Sequence, residues 1–440
     1  MFDPEVETRD PAEQRQRDEV LYKKQIEYLF ERSPFYQKKF AEAGFKDAKS
    51  VGDLSEIGKL PFTVKEDIRA TQAEHPPLGA HLAADPKKLV RTFSTSGTTG
   101  TPCYIAVTHK DLYDVWAVNT ARSYTACGFR PGQGLVVAFN IGPFAAGGVY
   151  AGYDKLGASV IPIGTGNTER LVKAFQYLRA TGLSCTPSYA LYLIDWLAER
   201  DIEPRGLGIT HIATAGEPGG GEATIRGRVE SAFGCMMREA MGTGDISTSI
   251  WGECEHEGGM HYSARDNTFV ELIDPATEEP VPWEDGAEGE LIYTALVREA
   301  QPVVRVRSRD HVVVSTEVCA CGRNTPRIRC IGRTDDMLIV RGVNLFPTAV
   351  RSLLNEFQPE IGETFRITPK KKGVSQDPPL PIKIELGEGV QQAPPDLAER
   401  IQASIRAKLL ATTEVILVPY GSLPREEYKS KLLDYSDAVD

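Results

Sequence analysis

Hydrophobic and polar positions change period along the first 250 residues, and each period predicts a different kind of element. Near the start, apolar side chains recur at helical spacing, which predicts an amphipathic helix. These side chains are Leu21, Tyr22, Ile26, Leu29 and Phe30. Further on, GLVVAFN, SVIPIG, LSCTPS and HIATAG are short apolar runs typical of strands. The helical pattern TERLVKAFQYLRATG lies between two of them, with Gly182 as its expected C-cap.

Strands that alternate with helices predict an α/β fold in which crossover connections join the strands of one sheet. From residue 262 the sequence becomes β-rich, with FVELIDP, GELIYTAL and VVRVRSRDHVVV separated by acidic or glycine turns. We therefore expect a large N-terminal domain over residues 1–333, with a β-subdomain over about 251–333.

Residues 334–440 have the pattern of a small, separate α+β domain. MLIV is strand-like, and apolar residues then recur at helical spacing in the segment that follows. RITPKK and PIKIEL suggest a hairpin around GVSQDPPLP, and a second helical pattern precedes the strand EVILVP. This β-α-β-β-α-β order is the split βαβ plan.

Length and charge narrow the class of protein. A chain of 440 residues with 41% hydrophobic and 25% charged residues is typical of a globular protein with at least two domains. The formal net charge of −11 argues against a nucleic-acid or membrane-surface binder, because such proteins need a basic face. The polar N-terminus and the eight cysteines predict a cytoplasmic protein with reduced thiols or metal ligands. The oligomeric state stays open, with a homodimer among the alternatives.

The strongest single motif is a hydroxyl-rich glycine loop, Thr95-Ser96-Gly97-Thr98-Thr99-Gly100-Thr101-Pro102. Its glycines let the main chain approach an anion, and its hydroxyls can donate to phosphate oxygens. It lacks the Gly-Lys-Ser/Thr ending of a Walker A loop, and the strand-like KLVRTFS and CYIAVT flank it. The pattern predicts a phosphate-binding loop between two strands, and an ordinary hairpin turn is the alternative.

This loop resembles the signature of the adenylate-forming superfamily of acyl-CoA synthetases, adenylation domains and luciferases. Within that superfamily, the chain most resembles the phenylacetate–coenzyme A ligase family over nearly its whole length. The shared strings, in chain order, are SPFYQKKF, TSGTTGTP, TPSYAL, AGEP, RVRSRD, CACGR, GRTDDMLIVRGVNLFP and GSLPREEYK. The resemblance implies a large ATP- and acyl-binding domain and a mobile C-terminal domain.

The resemblance also implies two half-reactions. A carboxylate attacks the α-phosphate of ATP with Mg²⁺ bridging the phosphates, and the thiol of coenzyme A then takes the acyl group and releases AMP. Asp310 matches the carboxylate that accepts both ribose hydroxyls. Lys429 matches the catalytic lysine that stabilises charge during adenylation, and Lys431 is its local competitor.

Further matches concern the nucleotide and the hinge. Ala215-Gly216-Glu217-Pro218 matches the loop against adenine, although a plain β-turn is the alternative. Arg333 matches a residue that touches ribose or phosphate, and Asp335 matches the hinge between the domains. Gly342 and Asn344 match the region that lines the pantetheine path.

An acyl pocket is expected where AFNIGPFAAGG places Phe139 and Phe144, with Ala215 and Gly216 nearby. Aromatic rings beside glycines would form a flat apolar slot suited to an aryl acid. Phenylalanine in an α/β sheet is also a common core residue, so core packing is the alternative.

A group of cysteines predicts a metal site. Cys319-Ala320-Cys321 puts two thiols in one tight turn, and Cys254 and His261 flank a glycine turn upstream. Three sulfurs and one imidazole match a closed, structural zinc site, and part of the resembling family carries such residues at these places. The alternatives are packed thiols or a rival ligand, His256 or Cys330.

The sequence departs from the family pattern near the nucleotide. Where the family has Tyr-Gly-x-Ser/Thr-Glu, this chain has Met241-Gly242-Thr243-Gly244-Asp245. Met241 stands for the adenine-stacking aromatic residue, and Asp245 stands for the magnesium-binding glutamate, one methylene shorter. Val306 and Thr101 replace a usual Tyr and a usual Lys. These changes could give an unusual substrate, a slow enzyme or another acceptor.

Three functions are therefore weighed. The leading one is AMP-forming ligation of an aryl or arylacetic acid to coenzyme A, with no nucleic-acid or membrane partner. The second is an adenylating enzyme that passes the acyl group to an amine or a carrier-protein thiol. The third is a zinc-stabilised scaffold on a decayed ligase fold, which the presence of the glycine loop, Asp310 and Lys429 opposes.

Overall fold

The structure, a computed structural model, divides into two compact units: Met1–Ser308 with Val313–Arg329, and Arg309–Val312 with Cys330–Asp440. The residues that it describes are 1–95, 103–139, 145–341, 343–424, 432–436 and 438. Of these, Asn344 is described by its main chain alone. A domain boundary after residue 333 stays a prediction.

The first unit begins with a helical layer in which capping side chains fix the starts of the second and third helices. Its helices are α1 Pro4–Glu7, α2 Pro11–Arg32, α3 Pro34–Glu42 and α4 Lys65–Glu74. Asp10 caps α2, because its carboxylate accepts from the main-chain N–H groups of Ala12 and Glu13. The buried face of α2 includes Tyr22 and Ile26, which confirms the predicted amphipathic helix.

The centre of the first unit is a parallel sheet with helices between its strands. The strands are β3 Gly134–Val137, β4 Ser159–Pro162, β5 Gly182–Cys185, β6 His211–Thr214 and β7 Met236–Thr243, preceded by the antiparallel pair β1 Leu89–Ser94 and β2 Tyr104–Thr108. The helices are α5 Ala117–Ala126, α6 Val149–Leu156, α7 Thr168–Leu178, α8 Pro187–Ala198 and α9 Ala223–Phe233. The four predicted apolar runs supply β3 to β6. β3, β5 and β6 are mostly buried, as expected for parallel strands covered by helices, whereas β4 lies at the edge of the sheet and is partly exposed.

The end of α7 differs from the prediction. The helix ends at Leu178, and Arg179 takes the left-handed conformation, with φ 51°, that caps it. Gly182, expected as the cap, is instead the first residue of β5. A Cβ at Gly182 would lie 2.7 Å from Phe129 Cε1, so the sheet packing requires this glycine. The preference for glycine at helix C-caps gave the wrong position for Gly182, because the contact with Phe129 is long-range and has no local sequence pattern.

The same sheet continues into antiparallel strands, which form the β-rich part of the chain. These strands are β8 Ser247–Glu253, β9 Met260–Tyr262, β10 Thr268–Ile273, β11 Glu288–Ala295, β12 Val306–Ser315 and β13 Arg327–Arg333. Short stretches of β12 and β13 belong to the second unit. The strand order of the sheet is β10-β11-β12-β13-β9-β8-β7-β6-β5-β3-β4. The three β-rich strings of the sequence supply β10, β11 and β12, as predicted.

The second unit contains the six elements predicted for the C-terminal part, in the predicted order, together with two short strands that were not predicted. All of these elements are, in chain order, β14 Leu338–Val340, β15 Val343–Leu345, α10 Pro347–Leu354, β16 Ile361–Ile367, β17 Ser375–Gln376, β18 Leu380–Leu386, α11 Leu397–Leu409 and β19 Thr413–Val418. The two strands that were not predicted are β15 and β17. β16 is antiparallel to β18, and β18 is parallel to β19 across α11. In the described residues, β14 pairs with β15 and β17 in a sheet of its own rather than with these strands.

Each unit buries its own apolar core. In the first unit, Leu171 and Phe175 of α7 share a core with Leu183 and Ile212 of the parallel sheet. In the second unit, Ile382 of β18 lies in a separate core. The predicted α/β fold with a separate C-terminal α+β domain is thus confirmed. Within the described ranges, no helix combines the length and apolar character needed to cross a membrane.

Candidate active site and metal cluster

The strands beside the predicted phosphate loop hold its first residue in place. The Thr95 N–H donates to Cys103 O at 2.9 Å, and Thr95 Oγ1 accepts from the Cys103 N–H at 3.1 Å. These bonds extend the β1–β2 pair beyond its last register position. The segment therefore joins two antiparallel strands, as predicted, although residues 96–102 lie outside the described residues.

The carboxyl edge of the parallel sheet gathers three of the predicted site segments. Phe139 follows β3, Ala215 follows β6, and Met241 lies near the end of β7. The Ala215 N–H donates to Cys185 O at 3.1 Å, so this segment continues the sheet before it turns away. Ligands of open α/β sheets bind outside this edge. The position fits the predicted nucleotide and acyl sites.

Gly216 keeps the sheet edge open next to Phe139. Its φ of 93° is one that other residues rarely adopt. A Cβ at Gly216 would lie 4.0 Å from Phe139 Cε1 and 3.8 Å from Thr186 Cγ2, so these residues are neighbours. The structure therefore brings the predicted pocket residues Phe139, Ala215 and Gly216 together. Phe144 lies outside the described residues.

Glu217 ties the following turn to α8. Its Oε1 accepts from the Ser188 N–H at 2.8 Å, in the first turn of that helix, where a carboxylate is favourable. Its Oε2 is buried and has no hydrogen-bond partner among the described residues. Pro218 follows and is exposed. The role of this turn against adenine stays a prediction.

Positions 242 and 244, close to Met241, are occupied by glycine because a larger residue there would clash with its neighbours. A Cβ at Gly242 would lie 2.4 Å from Thr248 O, which the β7–β8 pairing does not allow. A Cβ at Gly244 would lie 2.7 Å from the Cβ of Ala145. The hydroxyl that the family carries at position 244 is therefore excluded in this chain by its own packing.

Asp245 lies in the turn between β7 and β8, and its carboxylate contacts Lys65. Lys65 Nζ lies 3.1 Å from Asp245 Oδ2, and the Asp245 side chain is 14% exposed. Magnesium in nucleotide enzymes commonly takes one or two carboxylates together with the substrate's phosphate oxygens. A partly accessible carboxylate fits that requirement, and the Lys65 ammonium would have to give up its contact when the ion binds. The magnesium role of Asp245 stays a prediction.

In the second unit, Arg333 is bound by the predicted ribose and hinge aspartates. Its Nη1 donates to Asp310 Oδ1 at 3.3 Å, and its Nε and Nη2 donate to Asp335 Oδ1 and Oδ2 at 2.9 and 2.7 Å. Burial lowers the pKa of Arg333, but the carboxylates of Asp310 and Asp335 outweigh that effect and raise the pKa. Three predicted site residues are therefore brought together.

Several predicted site residues fall outside the described part of the chain. They are Ser96, Gly97, Thr98, Thr99, Gly100, Phe144, Gly342 and Lys429. The main chain of Asn344 lies in β15. The roles of all these residues stay predictions.

Two residues at the Asp245 turn have no motif that predicts them. Lys65 begins α4, 180 positions away from Asp245. Arg298, just after β11, donates to the main-chain oxygens of Asp245 and Ile246. Both contacts arise from folding over long sequence separations. A basic residue inside the apolar string TALVREAQP was the only local signal.

Four side chains of the first unit converge on one point: Cys254, His261, Cys319 and Cys321. Their ligand atoms all lie within 4.8 Å of one another. The sulfurs of Cys254 and Cys319 are 3.5 Å apart, and Cys321 Sγ is 3.4 Å from His261 Nε2. Zinc–sulfur bonds of about 2.3 Å in a tetrahedron put two sulfurs roughly 3.8 Å apart. The spacing therefore fits a closed four-ligand metal site.

The surroundings of the cluster orient its ligands. His261 Nδ1 lies 3.3 Å from Thr325 Oγ1, which leaves Nε2 facing Cys321. Hydrogen bonding from Cys254 lowers the pKa of the Cys321 thiol, and His261 adds to this. The same bond and burial raise the pKa of Cys254. The cluster thus favours a thiolate, the form of cysteine that binds metal.

The rival ligands lie elsewhere. His256 Nε2 is 3.7 Å from the carboxylate of Glu255 on the surface. Cys330 belongs to the second unit and donates to Gly332 O at 3.5 Å. The group of converging side chains therefore contains the four predicted ligands and neither rival.

The first residues of the chain are tied to the loop that carries the cysteines. Arg323, two positions after Cys321, donates to Glu7 Oε2 at 2.6 Å, and both residues are buried. Arg265 Nη1 donates to Val6 O at 3.0 Å. Charge-assisted bonds of this kind are stronger than neutral ones. They hold the N-terminal segment against the β-rich part of the first unit.

Comparison with known proteins agrees with this geometry. Residues 12–295 match the family described as AMP-binding enzyme, and residues 342–434 match its C-terminal domain. A phenylacetate–coenzyme A ligase of Thermus thermophilus is 34% identical, over 97% of this chain and 97% of that protein. The chain belongs to the phenylacetate–coenzyme A ligase family of AMP-binding enzymes. A second member, from Aromatoleum evansii, is 33% identical over 86% of this chain and 84% of that protein.

A solved structure of a related enzyme, in the state that follows adenylation, gives a further comparison. The 2-hydroxyisobutyryl-CoA ligase in the postadenylation state, in complex with 2-HIB-AMP, superposes with a TM-score of 0.88 and 27% identity. The match covers 98% of this chain and 92% of that one. The phenylacetate–coenzyme A ligase family predicted from the sequence is confirmed, and this member is an AMP-forming acid–thiol ligase.

Proposed function

We propose that this protein converts an aryl or arylacetic acid to its coenzyme A thioester, with ATP as the second substrate and AMP and pyrophosphate as products. The relatives that match it over most of their length are named for phenylacetate. The observation that carries the proposal is the position of the buried Phe139 ring beside Gly216 at the carboxyl edge of the sheet, where a Cβ on Gly216 would lie 4.0 Å from Phe139 Cε1. Apolar surroundings at that place would favour an acid whose acyl group is an aromatic ring over one whose acyl group is polar.

In the first half-reaction, the residues of the chain position ATP and the acid for attack at the α-phosphate. Asp245 is the proposed magnesium ligand, and the ion would neutralise charge on the phosphates. Asp310, which accepts from Arg333 at 3.3 Å, would also accept the ribose hydroxyls. The glycine loop that begins at Thr95 would donate to the phosphates. Lys429 would stabilise the charge that develops between carboxylate and α-phosphate.

In the second half-reaction, the coenzyme A thiol attacks the acyl-adenylate and AMP leaves. Asp335 is the proposed hinge, because a residue at the end of an element can absorb the dihedral change of a domain rotation. It follows β13 by two positions and binds Arg333. Rotation there would break that pair, so the hinge and the nucleotide-contacting arginine are coupled. Gly342 and Asn344 are proposed to border the pantetheine path.

Two assays test the proposal. With phenylacetate and ring-substituted analogues, we expect ATP–pyrophosphate exchange, and thioester on addition of coenzyme A. Lys429→Ala should slow exchange on the order of 100-fold or more, because the developing charge is no longer neutralised. A supplied acyl-adenylate should still be thioesterified by this variant. Lys431→Ala is the matched control and should retain both steps.

The remaining outcomes separate the alternatives. Equal loss of both steps in Lys429→Ala would contradict the role assigned to that lysine. Exchange without thioester would favour an amine or carrier-protein acceptor. Exchange with 2-hydroxyisobutyrate alone would move the substrate to the class of the 2-hydroxyisobutyryl-CoA ligase. No exchange with any acid would favour a non-catalytic scaffold.

The proposed occupant of the cysteine cluster is one structural zinc ion. Thiolates and an imidazole are donors that zinc prefers, and four protein ligands leave no open position for water. Metal analysis of the purified protein is expected to return about one zinc per chain. Protein that is free of metal yet fully stable and active would refute this assignment.

A cytoplasmic location is proposed as well. The eight cysteines are free thiols in the structure, and thiols persist in reducing compartments. Whether the protein is a homodimer is a question for sedimentation in solution.

A further inference from the structure

Arg298 is a buried cation whose hydrogen-bonding capacity is only partly used. The residue is 2% exposed, and its Nε and Nη2 have no hydrogen-bond partner among the described residues. Burial lowers its pKa, while the nearby carboxylates of Asp111 and Asp245 oppose that effect. Unpaired donors on a buried charge are costly. Such a residue calls for a structural or functional reason.

The bonds that Arg298 does make end on the turn that carries Asp245. Its Nη1 donates to the main-chain oxygen of Asp245 and, at 3.3 Å, to that of Ile246. Its guanidinium carbon lies 5.4 Å from the centre of the Trp116 ring, which stacks on Phe93 of β1 at 5.5 Å. Arg298 therefore links the Asp245 turn to the hairpin from which the predicted phosphate loop leaves.

The main chain around Arg298 is itself firmly held. Gln25 Nε2 donates to Arg298 O at 3.0 Å. The N–H groups of Glu299 and Ala300 donate to the two carboxylate oxygens of Asp111 at 2.7 and 2.9 Å. Because the segment is anchored on both sides, the guanidinium is a fixed support for the turn rather than a group that follows it.

A small cavity adjoins the same residues. Arg298, His81 and Asp245 are among the residues that line it, and its volume is about 10 Å³, close to the roughly 10–15 Å³ that one water needs. His81 Nδ1 is buried and has no partner among the described residues. The cavity therefore brings the unpaired donors of Arg298, the Asp245 side chain and His81 to one place.

We propose that Arg298 is a positioning residue for the metal-binding step: it fixes the main chain of the turn that carries the Asp245 carboxylate, the proposed magnesium ligand. Lys65 contacts the carboxylate itself at 3.1 Å, whereas Arg298 holds the main chain behind it. The inference rests on the proposed magnesium role of Asp245. Pre-orientation by an outer residue commonly changes metal affinity by about 10–100-fold.

The experiment measures Mn²⁺ binding to the protein–ATP complex without acid, from the EPR signal of the free ion. Arg298→Met keeps the volume and removes the donors, so Mn²⁺ affinity should fall about tenfold or more. Arg298→Lys keeps the charge and a donor and should recover most of it. Arg265→Met is the matched control, because Arg265 is also buried and also donates to main-chain oxygens. It should lower the melting temperature and leave Mn²⁺ affinity unchanged.

Unchanged Mn²⁺ affinity in a folded Arg298→Met protein would overturn the inference. If Arg298→Met does not fold, Arg298→Gln is measured in its place. Weaker Mn²⁺ binding by Arg298→Gln than by Arg298→Lys would support the inference, and Mn²⁺ binding as tight as in the wild type would contradict it. Asp245→Asn separates this question from the proposed function. If Asp245→Asn binds Mn²⁺ normally, the magnesium site itself is wrong. If only Asp245→Asn binds weakly, the site stands and the role of Arg298 fails.

Discussion

Glu239, in the middle of β7, is half-buried and lies beneath the glycines that follow the predicted adenine loop. A Cβ on Gly221 would lie 2.8 Å from Glu239 Oε2, and one on Gly220 would lie 3.0 Å from its Cγ. Burial raises the pKa of Glu239 to about 7, the carboxylate of Glu253 adds to this, and Arg226 opposes it. The loop therefore packs on a group that changes charge near neutral pH.

The expected consequence is that stability falls as pH rises between about 4.5 and 7. In this window the folded protein keeps the Glu239 proton while the unfolded chain has lost it, because the folded-state pKa is the higher one. Glu239→Gln removes the titration, so its free energy of unfolding should decline less over the window, by roughly 1–3 kcal/mol. Urea unfolding at several pH values measures this, with the exposed Glu169→Gln as the control. A decline equal to that of the wild type would count against the argument.

Single residues differ in how far the sequence could predict them. The four cluster ligands could be predicted, since each pair lies around a short turn and their chemistry suits one ion. The Lys65–Asp245 pair could not, because the two residues are 180 positions apart and only folding joins them. Arg298 could not be predicted for the same reason, because its contacts with Asp245 and Ile246 also span more than 50 positions. The local spacing of residue types indicates turns and helices, but it does not indicate which residues that are far apart in the sequence come into contact.

At the scale of elements, the turn between β8 and β9 delivers His261 to the cluster. Gly259 has a φ of 101°, and a Cβ there would lie 2.9 Å from Ile328 O of the neighbouring β13. His261 is paired in register with Gly252 on one side and Arg327 on the other. The position of the imidazole is therefore set by two strand pairings and a glycine.

Gly259→Ala is expected to impair metal retention, because the added methyl pushes β9 away from β13. The measurement is bound zinc per chain, with the melting temperature recorded in parallel. Gly208→Ala is the matched control: its φ is also positive, at 69°, but a Cβ there would meet nothing within 4 Å. The control should lose about 1 kcal/mol of stability from backbone strain and keep its metal. Equal zinc in both variants would contradict this role of the turn.

Most elements could be predicted, whereas some of their pairings could not. The buried strands have continuous apolar runs, so their existence is encoded locally. The turn-rich string GVSQDPPLP gave no sign of β17, a two-residue strand that exists only because it pairs with β14. That pairing takes β14 out of the predicted single sheet. Partner choice between short strands depends on contacts that one segment cannot reveal.

At the scale of the whole molecule, two units with separate cores should respond to damage separately. Ile382 of β18 is fully buried in the core of the second unit. Ile382→Ala should therefore cost about 2–5 kcal/mol in that unit. Hydrogen exchange should accelerate in peptides of residues 338–418 and stay unchanged in the sheet of the first unit. The corresponding change in the first unit, Leu183→Ala, should give the reverse pattern, and acceleration in both units by either variant would show one cooperative fold.

The fold of the whole chain could be predicted well because several ordered motifs at family-like spacing are more specific than any one pattern. Composition and periodicity alone reached only an α/β class with a small C-terminal α+β part. The remaining features of the fold were predicted from the family resemblance, and the relatives match over nearly the full chain. Substrate choice was not predictable in the same way, since it depends on a few side chains at one sheet edge.

The first residues of the chain lie next to the cysteine turn, where the bond between Glu7 and Arg323 helps to hold them, and this matters for how the enzyme is purified. Residues added ahead of Met1 would emerge beside the cysteine turn, since a Cβ on Gly322 would lie 3.2 Å from Met1 Cε. A polyhistidine tag in that position would bring foreign imidazoles to the ligands and distort any count of bound zinc. Tag-free or carboxyl-tagged protein avoids that artefact.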